Sequence, residues 1–286
     1  MTRRIDAWLF APEAAGRVRA MRLLLAVLIG VRLATGPHRG LAGQPAALFR
    51  PVWFLAWLDQ MPPAGVLLAI QLVGVAAALL AALGWRERAT FLAAWMSLLV
   101  LAGLRASRGK VHHNDLPLLL VAGVLAAAPV GLRLLDDRRS AATGWPVRTS
   151  LAVVVSVYFL SGFQKVVSSG PAWVLSDNLR NIMYGAHRNG HAPTDAVSLF
   201  IADRPWLAHL AALATLVVEL GAVVVLARPR ARPALLVAVA GLHLMIYLTH
   251  GLDYSMWVGT AAVVLIDWDA VLRRAMARRR PDPAVA

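Results

Sequence analysis

The segment 151-LAVVVSVYFLSGFQKVVSSG-170 decides the fold, because it is apolar over about fourteen residues and then places a lysine at its end. A helix that crosses a bilayer needs about 20 mostly apolar residues, and several other segments of this chain approach that length. The 286-residue sequence is 59% hydrophobic and only 15% charged, whereas a soluble domain carries about 25% charged residues. The composition therefore predicts a polytopic membrane protein.

The apolar runs between charged, proline and glycine breaks predict eight spans. Only helices or closed barrels satisfy backbone groups inside lipid, and no alternating strand pattern competes here. The predicted fold class is therefore all-α, a polytopic transmembrane helical bundle of about eight spans, formed by residues 1–286 as a single integral membrane domain. The spans are placed near 20–36, 64–84, 89–104, 116–132, 148–165, 207–227, 234–250 and 255–268, of which the third, fourth and last are short.

Two further helices are predicted outside the spans. Ile5, Trp8, Leu9 and Phe10 fit a short interfacial helix ahead of the first span, and an amphipathic helix is placed at 174–186. The residues 269–286 form a basic tail.

The cationic residues predict the orientation in the membrane. Of 29 lysines and arginines, 19 fall in alternate segments on the side of the termini and 9 on the other side, with Arg32 inside the first span. Cytoplasmic loops carry the excess of positive charge, so both termini are expected in the cytoplasm of a multi-pass cell-membrane protein. All eight histidines fall in outer segments or within spans. This sorting favours a polar site that opens outward, although outer loops that are simply poorer in arginine would give the same pattern.

The composition also excludes several classes of function. The chain has no cysteine, which excludes disulfides, thiolate metal sites and cysteine nucleophiles. The net charge of +14 fits cytoplasmic arginines facing anionic membrane lipid, and no nucleic-acid-binding module accompanies it. Membrane lipid is therefore an expected partner, and nucleic acid is not.

Lys165 is the first candidate for chemistry. All cationic residues except Lys110 and Lys165 are arginine. A desolvated lysine can act as a base, whereas arginine keeps its proton. Tyr158 and the small Ser161-Gly162 pair precede this lysine, so another helix or a flat ligand can come close. The simpler interpretation is a lysine that snorkels at the membrane boundary.

The stretch 109-GKVHHNDLPLLL-120 is the second candidate, because it gathers His112, His113, Asn114 and Asp115 at the start of a span. Asn114 or Asp115 could simply cap the helix that begins near Pro117. A metal site through His112, His113 and Asp115 is disfavoured, since adjacent histidines diverge on a helix and no further ligand stands at a characteristic spacing. We therefore expect no metal.

Three ionisable residues in the late spans complete the candidates. Glu219 and His243 lie deep in their segments, and His250 lies two turns further out than His243. Ionisable residues within a membrane are costly and mark functional interiors, so these three are expected to line a cavity. In the alternative, Glu219 bonds to His243 or to an arginine and only locks helices together.

The run 158-YFLSGFQKV-166, the histidine motif at 112–115 and the segment 242-LHLMIYLTHGLDYSMWVGTAAVVLID-267 resemble the horizontally transferred transmembrane (HTTM) domain. This domain is the membrane part of vitamin K-dependent gamma-glutamyl carboxylases, and the resemblance covers roughly residues 5–268. It implies that Lys165 is the base that deprotonates reduced vitamin K or menaquinone, with His113, or alternatively His112, as its catalytic partner. The family's site faces the lumen, which corresponds to the outer side here. At this site we also expect substrate contacts from His112, Asn114, Asp115, Tyr158, Glu219, His243 and His250.

The sequence departs from the carboxylases in three respects. It has Gln164 where they have another lysine, no cysteine for their disulfide, and only about twenty residues after the last span in place of their large extramembrane domain. We therefore expect a quinol-using membrane enzyme of lyase or oxygenase type, with or without coupling to carboxylation, in which a separate protein partner could replace the extramembrane domain. The alternatives are a non-catalytic quinone-binding membrane protein similar to the DoxX-like proteins and a proton-coupled transporter.

Overall fold

The computed structural model describes residues 2–109 and 113–278, and in this part of the chain nearly all regular structure is helical. The only strands there are β1 (Glu13–Ala14) and β2 (Arg139–Ser140), which form one short antiparallel pair. The helices are α1 (Thr2–Leu9), α2 (Ala15–Thr35), α3 (Ala64–Leu83), α4 (Glu87–Ala106), α5 (Leu116–Ala127), α6 (Ala141–Ser169), α7 (Ala172–Leu175), α8 (Asn178–Arg188), α9 (Asp195–Ala202), α10 (Pro205–Gly221), α11 (Val224–Ala227), α12 (Arg232–His250), α13 (Ser255–Leu265) and α14 (Trp268–Ala277).

Five helical segments are long and apolar enough to cross a membrane, or six if the bent pair α13 and α14 forms one span. The predicted all-α class is thereby confirmed, and these helices have the length and composition expected of a membrane protein. Each of the eight predicted spans coincides with helix, but α2 carries four arginines and α5 has only 12 residues. The count of eight and the sides of the termini stay predictions. The five segments are Ala64–Leu83, Glu87–Ala106, Ala141–Ser169, Pro205–Ala227 and Pro229–His250.

The chain divides into two compact units, and each is described by itself. The first unit comprises residues 1–150 and 267–286, and the second comprises residues 151–266. The border falls inside α6. The single integral membrane domain expected from the sequence stays a prediction.

The first unit is built on the packing of α2, α3 and α4. Leu25, Ile29 and Leu33 on α2 are fully buried in its core. Gly74 on α3 allows the close approach, because a Cβ at this position would lie 2.6 Å from both Leu33 Cδ1 and Ser97 Cβ. Any larger residue at 74 would push α3 away from its neighbours.

Arg22 on α2 holds the end of the short helix α5. Its side chain is 1% exposed and donates to Glu87 Oε1 at 2.7 Å. It also donates to the carbonyls of Leu125, Ala128 and Pro129 at 2.8, 3.0 and 2.9 Å. The last carbonyls of a helix lack the donors that the helix interior would supply. The guanidinium supplies donors to the carbonyls of Ala128 and Pro129, and it adds a second donor to the Leu125 carbonyl, which also accepts from the N–H of Ala128.

The second unit packs α8, α9, α10, α12 and α13 with the latter part of α6. Val154, Tyr158, Ala212 and Val239 lie in its core. Large aliphatic side chains such as Val217 remain on the outer faces, as is expected of helices surrounded by hydrocarbon.

The two helices predicted outside the spans are both present as helix. The amphipathic helix placed at 174–186 is found as α8, after the single turn α7, and the N-terminal helix is α1.

Candidate functional site

One face of α6 carries the first group of candidate residues. Tyr158, Ser161, Gly162 and Lys165 are spaced i, i+3, i+4 and i+7, which places them on the same side of a helix. The opposite face is apolar and exposed, with Val167 as its most exposed large side chain. The sequence 158-YFLSGFQK-165 therefore separates a polar stripe from an apolar one on a single helix.

Lys165 and Glu219 form an ion pair on that face. Lys165 Nζ donates to Glu219 Oε1 at 2.6 Å and to Oε2 at 2.7 Å. Ser161 Oγ lies 3.0 Å from the ammonium and donates to Glu219 Oε1 at 3.1 Å. The lysine side chain is 20% exposed and the glutamate side chain 8%. The three residues thus form a mostly buried, charge-balanced cluster between α6 and α10.

Gly162 allows α6 and α10 to approach closely enough for this pair. A Cβ at position 162 would lie 2.9 Å from Glu219 Cβ and 3.1 Å from Leu220 Cγ. Real Cβ atoms are essentially never found this close to another heavy atom, so a side chain here would move α10 and its carboxylate. The glycine therefore helps to set the distance between the two charges.

Trp173 on α7 borders the same cluster. Its ring centroid lies 5.3 Å from Lys165 Nζ, within the range of a cation–π contact. Its indole Nε1 is buried and has no hydrogen-bond partner among the residues described. An indole N–H is a donor only, so the ion pair has beside it a buried donor that the described part of the chain does not use.

Tyr158 leads from this face to a histidine on α12. Its hydroxyl lies 3.0 Å from His243 Nε2, and the two residues are 2% and 7% exposed. The expected alternative that Glu219 bonds to His243 is wrong, because Glu219 is bound by Lys165 and Ser161 while His243 is bound by Tyr158. Lys165 on α6 therefore takes the place at the Glu219 carboxylate that was expected for His243.

An aromatic group surrounds His243. The ring centroids of Tyr254 and Trp257 lie 5.1 and 5.5 Å from the imidazole. The other ring nitrogen, His243 Nδ1, is buried and has no hydrogen-bond partner within 2–109 and 113–278. Such atoms are rare in folded proteins, since an unmet polar group costs about 1–3 kcal/mol.

His243 lines a cavity of about 540 Å³. Tyr247, Asp253, Tyr254 and Ser255 supply the rest of its polar wall. Burial raises the pKa of the Tyr254 phenol, so this side chain remains a hydrogen-bond donor at neutral pH. The cavity therefore combines aromatic walls with a few convergent polar groups, as small-molecule sites commonly do.

The histidine motif of the sequence lies in the first unit. Asp115 is 4% exposed and accepts from Arg32 Nε at 2.5 Å and from Arg105 Nη2 at 3.0 Å. It stands at the N-cap of α5, but its carboxylate makes no capping bond. His113 is exposed and Asn114 is half-buried, while His112 lies outside the described residues. Asp115 thus pairs with two arginines, and the three side chains together keep one net positive charge.

His38 adjoins this arginine cluster. The side chain is 2% exposed, and burial, together with the charges of Arg105 and Arg32, lowers its pKa to about 4 despite the opposing charge of Asp115. At neutral pH His38 is therefore uncharged. Nothing in the sequence pattern singled it out, because a lone histidine in a loop carries no periodicity.

His250 has a different neighbour from the other candidates. Its Nδ1 lies 2.5 Å from Thr249 Oγ1, and it lines a second, more apolar cavity in the second unit. Over the described ranges, no three His, Asp or Glu side chains come together as a possible metal site.

The predicted site residues are thus divided between the units. The second unit brings Lys165, Glu219 and, through a separate contact, Tyr158 and His243 onto neighbouring helices, whereas His113 and Asp115 belong to the first unit. Ser161 was noted in the sequence only as a small residue, although its spacing of four from Lys165 already placed the two side chains together. Trp173, Tyr254 and Trp257 were missed, because contacts between distant segments leave no local pattern.

Comparison with protein-family models, curated proteins and solved structures finds no match to this chain. The resemblance to the membrane domain of the carboxylases therefore rests on the quoted residues alone and stays a prediction.

Proposed function

We propose that this protein is a membrane-embedded enzyme that uses a reduced quinone, of the vitamin K-dependent carboxylase-like type, with its proton chemistry at the Lys165–Glu219 pair. The observation that carries the proposal is the bidentate contact of Lys165 Nζ with Glu219 at 2.6 and 2.7 Å in a candidate membrane span. Charged groups within the membrane are costly and mark functional interiors.

The residues present fit a quinol. Such a ligand presents a flat ring that carries oxygens, and the second unit offers two buried nitrogens without partners among the described residues, Trp173 Nε1 and His243 Nδ1. The rings of Tyr254 and Trp257 supply flat apolar surface beside the histidine. A bound quinol would supply acidic hydroxyls and a ring that molecular oxygen can oxidise.

The histidine suits both redox forms of such a ligand. When the Tyr158 hydroxyl donates to Nε2, Nδ1 carries the proton and can donate to a carbonyl oxygen. When Nε2 carries the proton, Nδ1 accepts from a hydroxyl. His243 and Tyr158 would therefore hold either a quinone or a quinol without moving.

The ion pair divides the work of a general base between two residues. The carboxylate of Glu219 is the member of the pair that can accept a proton from a quinol hydroxyl. Its Oε1 atom accepts hydrogen bonds from both Lys165 and Ser161. The ammonium of Lys165 stabilises the negative oxygen that remains, which is the kind of fixed charge that lowers barriers most in a dry site. In this proposal the pair replaces Lys165 as the sole base, with Glu219 as the proton acceptor and Lys165 as the stabilising charge.

Oxygen uptake by the purified protein with reduced menaquinone tests this proposal. We expect Glu219→Gln to lower the rate by about 100-fold, since the acceptor is lost, which corresponds to about 2.7 kcal/mol. Lys165→Arg is expected to keep part of the activity, because the guanidinium still carries the positive charge. Gln164→Ala is the matched control, since Gln164 lies on the same helix, is exposed and donates to Ser168.

The outcomes separate the alternatives. Complete inactivity of a folded Lys165→Arg variant would return the role of base to a neutral lysine. An active Glu219→Gln variant would refute the pair as the base. If the wild-type protein binds oxidised menaquinone but takes up no oxygen, the protein is the non-catalytic quinone-binding protein of the first alternative.

A proton-coupled transporter is the second candidate, and the burial of Glu219 within a candidate span favours it. In that case the carboxylate would carry protons across the membrane. Proton uptake into vesicles that contain the protein, driven by a substrate gradient and abolished by Glu219→Gln, would support this alternative over the enzyme.

A further inference from the structure

A second cavity of the second unit is lined almost entirely by hydrocarbon. It lies between α8, α9, α10 and α12 and has a volume of about 290 Å³, just below the range of about 300–1,000 Å³ for ligand sites. Its walls are formed by aliphatic and methionine side chains, with small residues on α10 and α12 leaving the space open. The larger of these side chains are Leu179, Met183, Ile201, Leu242, Met245 and Ile246.

The threonines of this cavity add little polarity to its wall. The hydroxyl of Thr215 donates to the carbonyl of Ala211 at 2.9 Å, and that of Thr249 donates to the carbonyl of Met245 at 2.6 Å. Both hydroxyls are therefore occupied by their own helices. His250, beside Thr249 at the end of α12, is the one ionisable residue of the lining. The cavity thus has an apolar body and a single polar end.

We propose that this cavity binds the hydrocarbon chain of a membrane lipid, with the polar end of that lipid at His250. Two of the lining helices, α10 and α12, belong to segments long and apolar enough to cross a bilayer, so lipid chains are the medium around them. An apolar cavity that stays empty loses dispersion contacts along its whole wall, and water gains too few hydrogen bonds there to replace them. The proposal does not depend on the quinol reaction.

Two glycines provide a matched test. Gly241 on α12 lines the cavity, and a Cβ built there meets nothing within 4 Å. Gly221 at the end of α10 also has open space around its Cβ position but does not line the cavity. Gly241→Leu should therefore place a side chain in the cavity with no clash at its Cβ, while Gly221→Leu adds the same side chain elsewhere. Ala214→Leu, on the α10 wall, provides a second way to fill it.

The binding measurement uses tritiated palmitate and tritiated farnesol with the full chain in digitonin, a detergent without an alkyl chain. We expect saturable binding of one chain per protein, at least tenfold weaker in Gly241→Leu and Ala214→Leu and changed less than twofold in Gly221→Leu. Preference for palmitate identifies an acyl chain as the occupant, and preference for farnesol identifies a prenyl chain.

Equal affinity of all four proteins for both probes, or no saturable binding of either probe by the wild type, would overturn the proposal. The melting temperature of each protein without probe shows whether the variants are folded. Binding should then raise the melting temperature of the wild type and of Gly221→Leu, and leave that of Gly241→Leu unchanged.

Discussion

Each unit contains a buried glutamate paired with a cation, and the two pairs differ in what surrounds the cation. Glu87 and Glu219 have nearly the same side-chain exposure, 9% and 8%. Glu87 binds Arg19 at 3.2 Å and Arg22 at 2.7 Å. Arg22, the closer partner, is 1% exposed and also binds three carbonyls of the chain. Lys165, the partner of Glu219, is 20% exposed and stands beside the unused N–H of Trp173.

The comparison teaches how a structural ion pair differs from a candidate reactive one. Arg22 donates its N–H groups to Glu87 and to three carbonyls at the end of α5. These hydrogen bonds leave the pair without a donor for a ligand. The Lys165 cluster binds within itself, and its neighbourhood retains polar atoms that no described residue satisfies. The burial of the two glutamates is nearly the same, so it does not distinguish the structural pair from the candidate reactive pair. The distinction is whether the donors around the pair already have hydrogen-bond partners.

The largest effect is expected from removing Arg22. Arg22→Met should lower the free energy of unfolding by about 3–5 kcal/mol, because the carbonyls of Ala128 and Pro129 lose their donor and Glu87 keeps only its longer contacts with Arg19 and Gly131. Thermal unfolding in detergent measures this loss. Arg4→Met, an exposed change on α1, is the control and should stay within about 0.5 kcal/mol of the wild type. If Arg22→Met and Arg4→Met were equally stable, the hydrogen bonds of Arg22 would not contribute to the stability of the fold.

The next effect concerns pH and the arginine cluster of the first unit. The pKa of His38 is lowered to about 4 in the fold by burial, Arg105 and Arg32, with Asp115 opposing, whereas an unfolded histidine titrates near 6.5. The unfolded chain therefore takes up the proton first, and stability is lost as the pH falls from about 6.5 towards 4. The loss is about 3 kcal/mol at most.

Melting curves between pH 7 and 5 check this prediction. The wild type should lose stability in this window, and His38→Gln, which cannot titrate, should have a flatter profile. If both proteins follow the same profile, His38 does not control the acid sensitivity.

A double replacement in each pair sharpens the comparison directly. Lys165→Met alone should cost about 1–3 kcal/mol, because Glu219 is left without its partner. Adding Glu219→Leu should bring the protein back to within about 1 kcal/mol of the wild type, since an apolar pair of similar size replaces a buried ion pair well.

The matched double variant in the first unit should not recover. Arg22→Met with Glu87→Leu still leaves the carbonyls of Ala128 and Pro129 without their arginine donor, and Arg19 loses its carboxylate partner. The same thermal measurement applies to both double variants. Recovery of both would mean that the two pairs are of one kind.

The smallest effect is expected at a glycine of the second unit. Gly162→Ala should cost about 1–2 kcal/mol, because the new Cβ would press on Glu219 Cβ. Gly185→Ala on α8, where a Cβ meets nothing within 4 Å, should instead stabilise the protein by about 0.5–1 kcal/mol. A stabilising Gly162→Ala would show that α6 and α10 lie further apart than described.

The sequence predicted the helical class and much of one site face, because both follow from periodicity. Tyr158, Gly162 and Lys165 share a helical spacing that can be read directly from the chain. The depth of Glu219 and His243 within apolar runs was also visible. Their partners were not, since periodicity gives the face of a helix but not the helix that packs against it.

The arginine–carboxylate cluster shows the same limit. Asp115 stands where a helix cap was expected, and the helix does begin there, yet its carboxylate binds Arg32 and Arg105 from other helices. A guanidinium outcompetes the backbone N–H for a carboxylate because the bond is charge-assisted. Local rules therefore placed the helix start correctly and assigned the side chain to the wrong partner.

Arg22, which lies on α2 and binds the carbonyls at the end of α5, has a consequence for the biosynthesis of the protein. A helix of 12 residues is about 18 Å long, well short of the roughly 30 Å hydrocarbon core, so α5 is a poor substrate for membrane insertion by itself. Arg22 is synthesised about a hundred residues earlier than the carbonyls that it caps, as their sequence separation of 103 to 107 requires. We therefore expect α2 to be already inserted in the membrane when α5 leaves the ribosome. In that case α5 would insert together with α2 and Arg22 rather than alone.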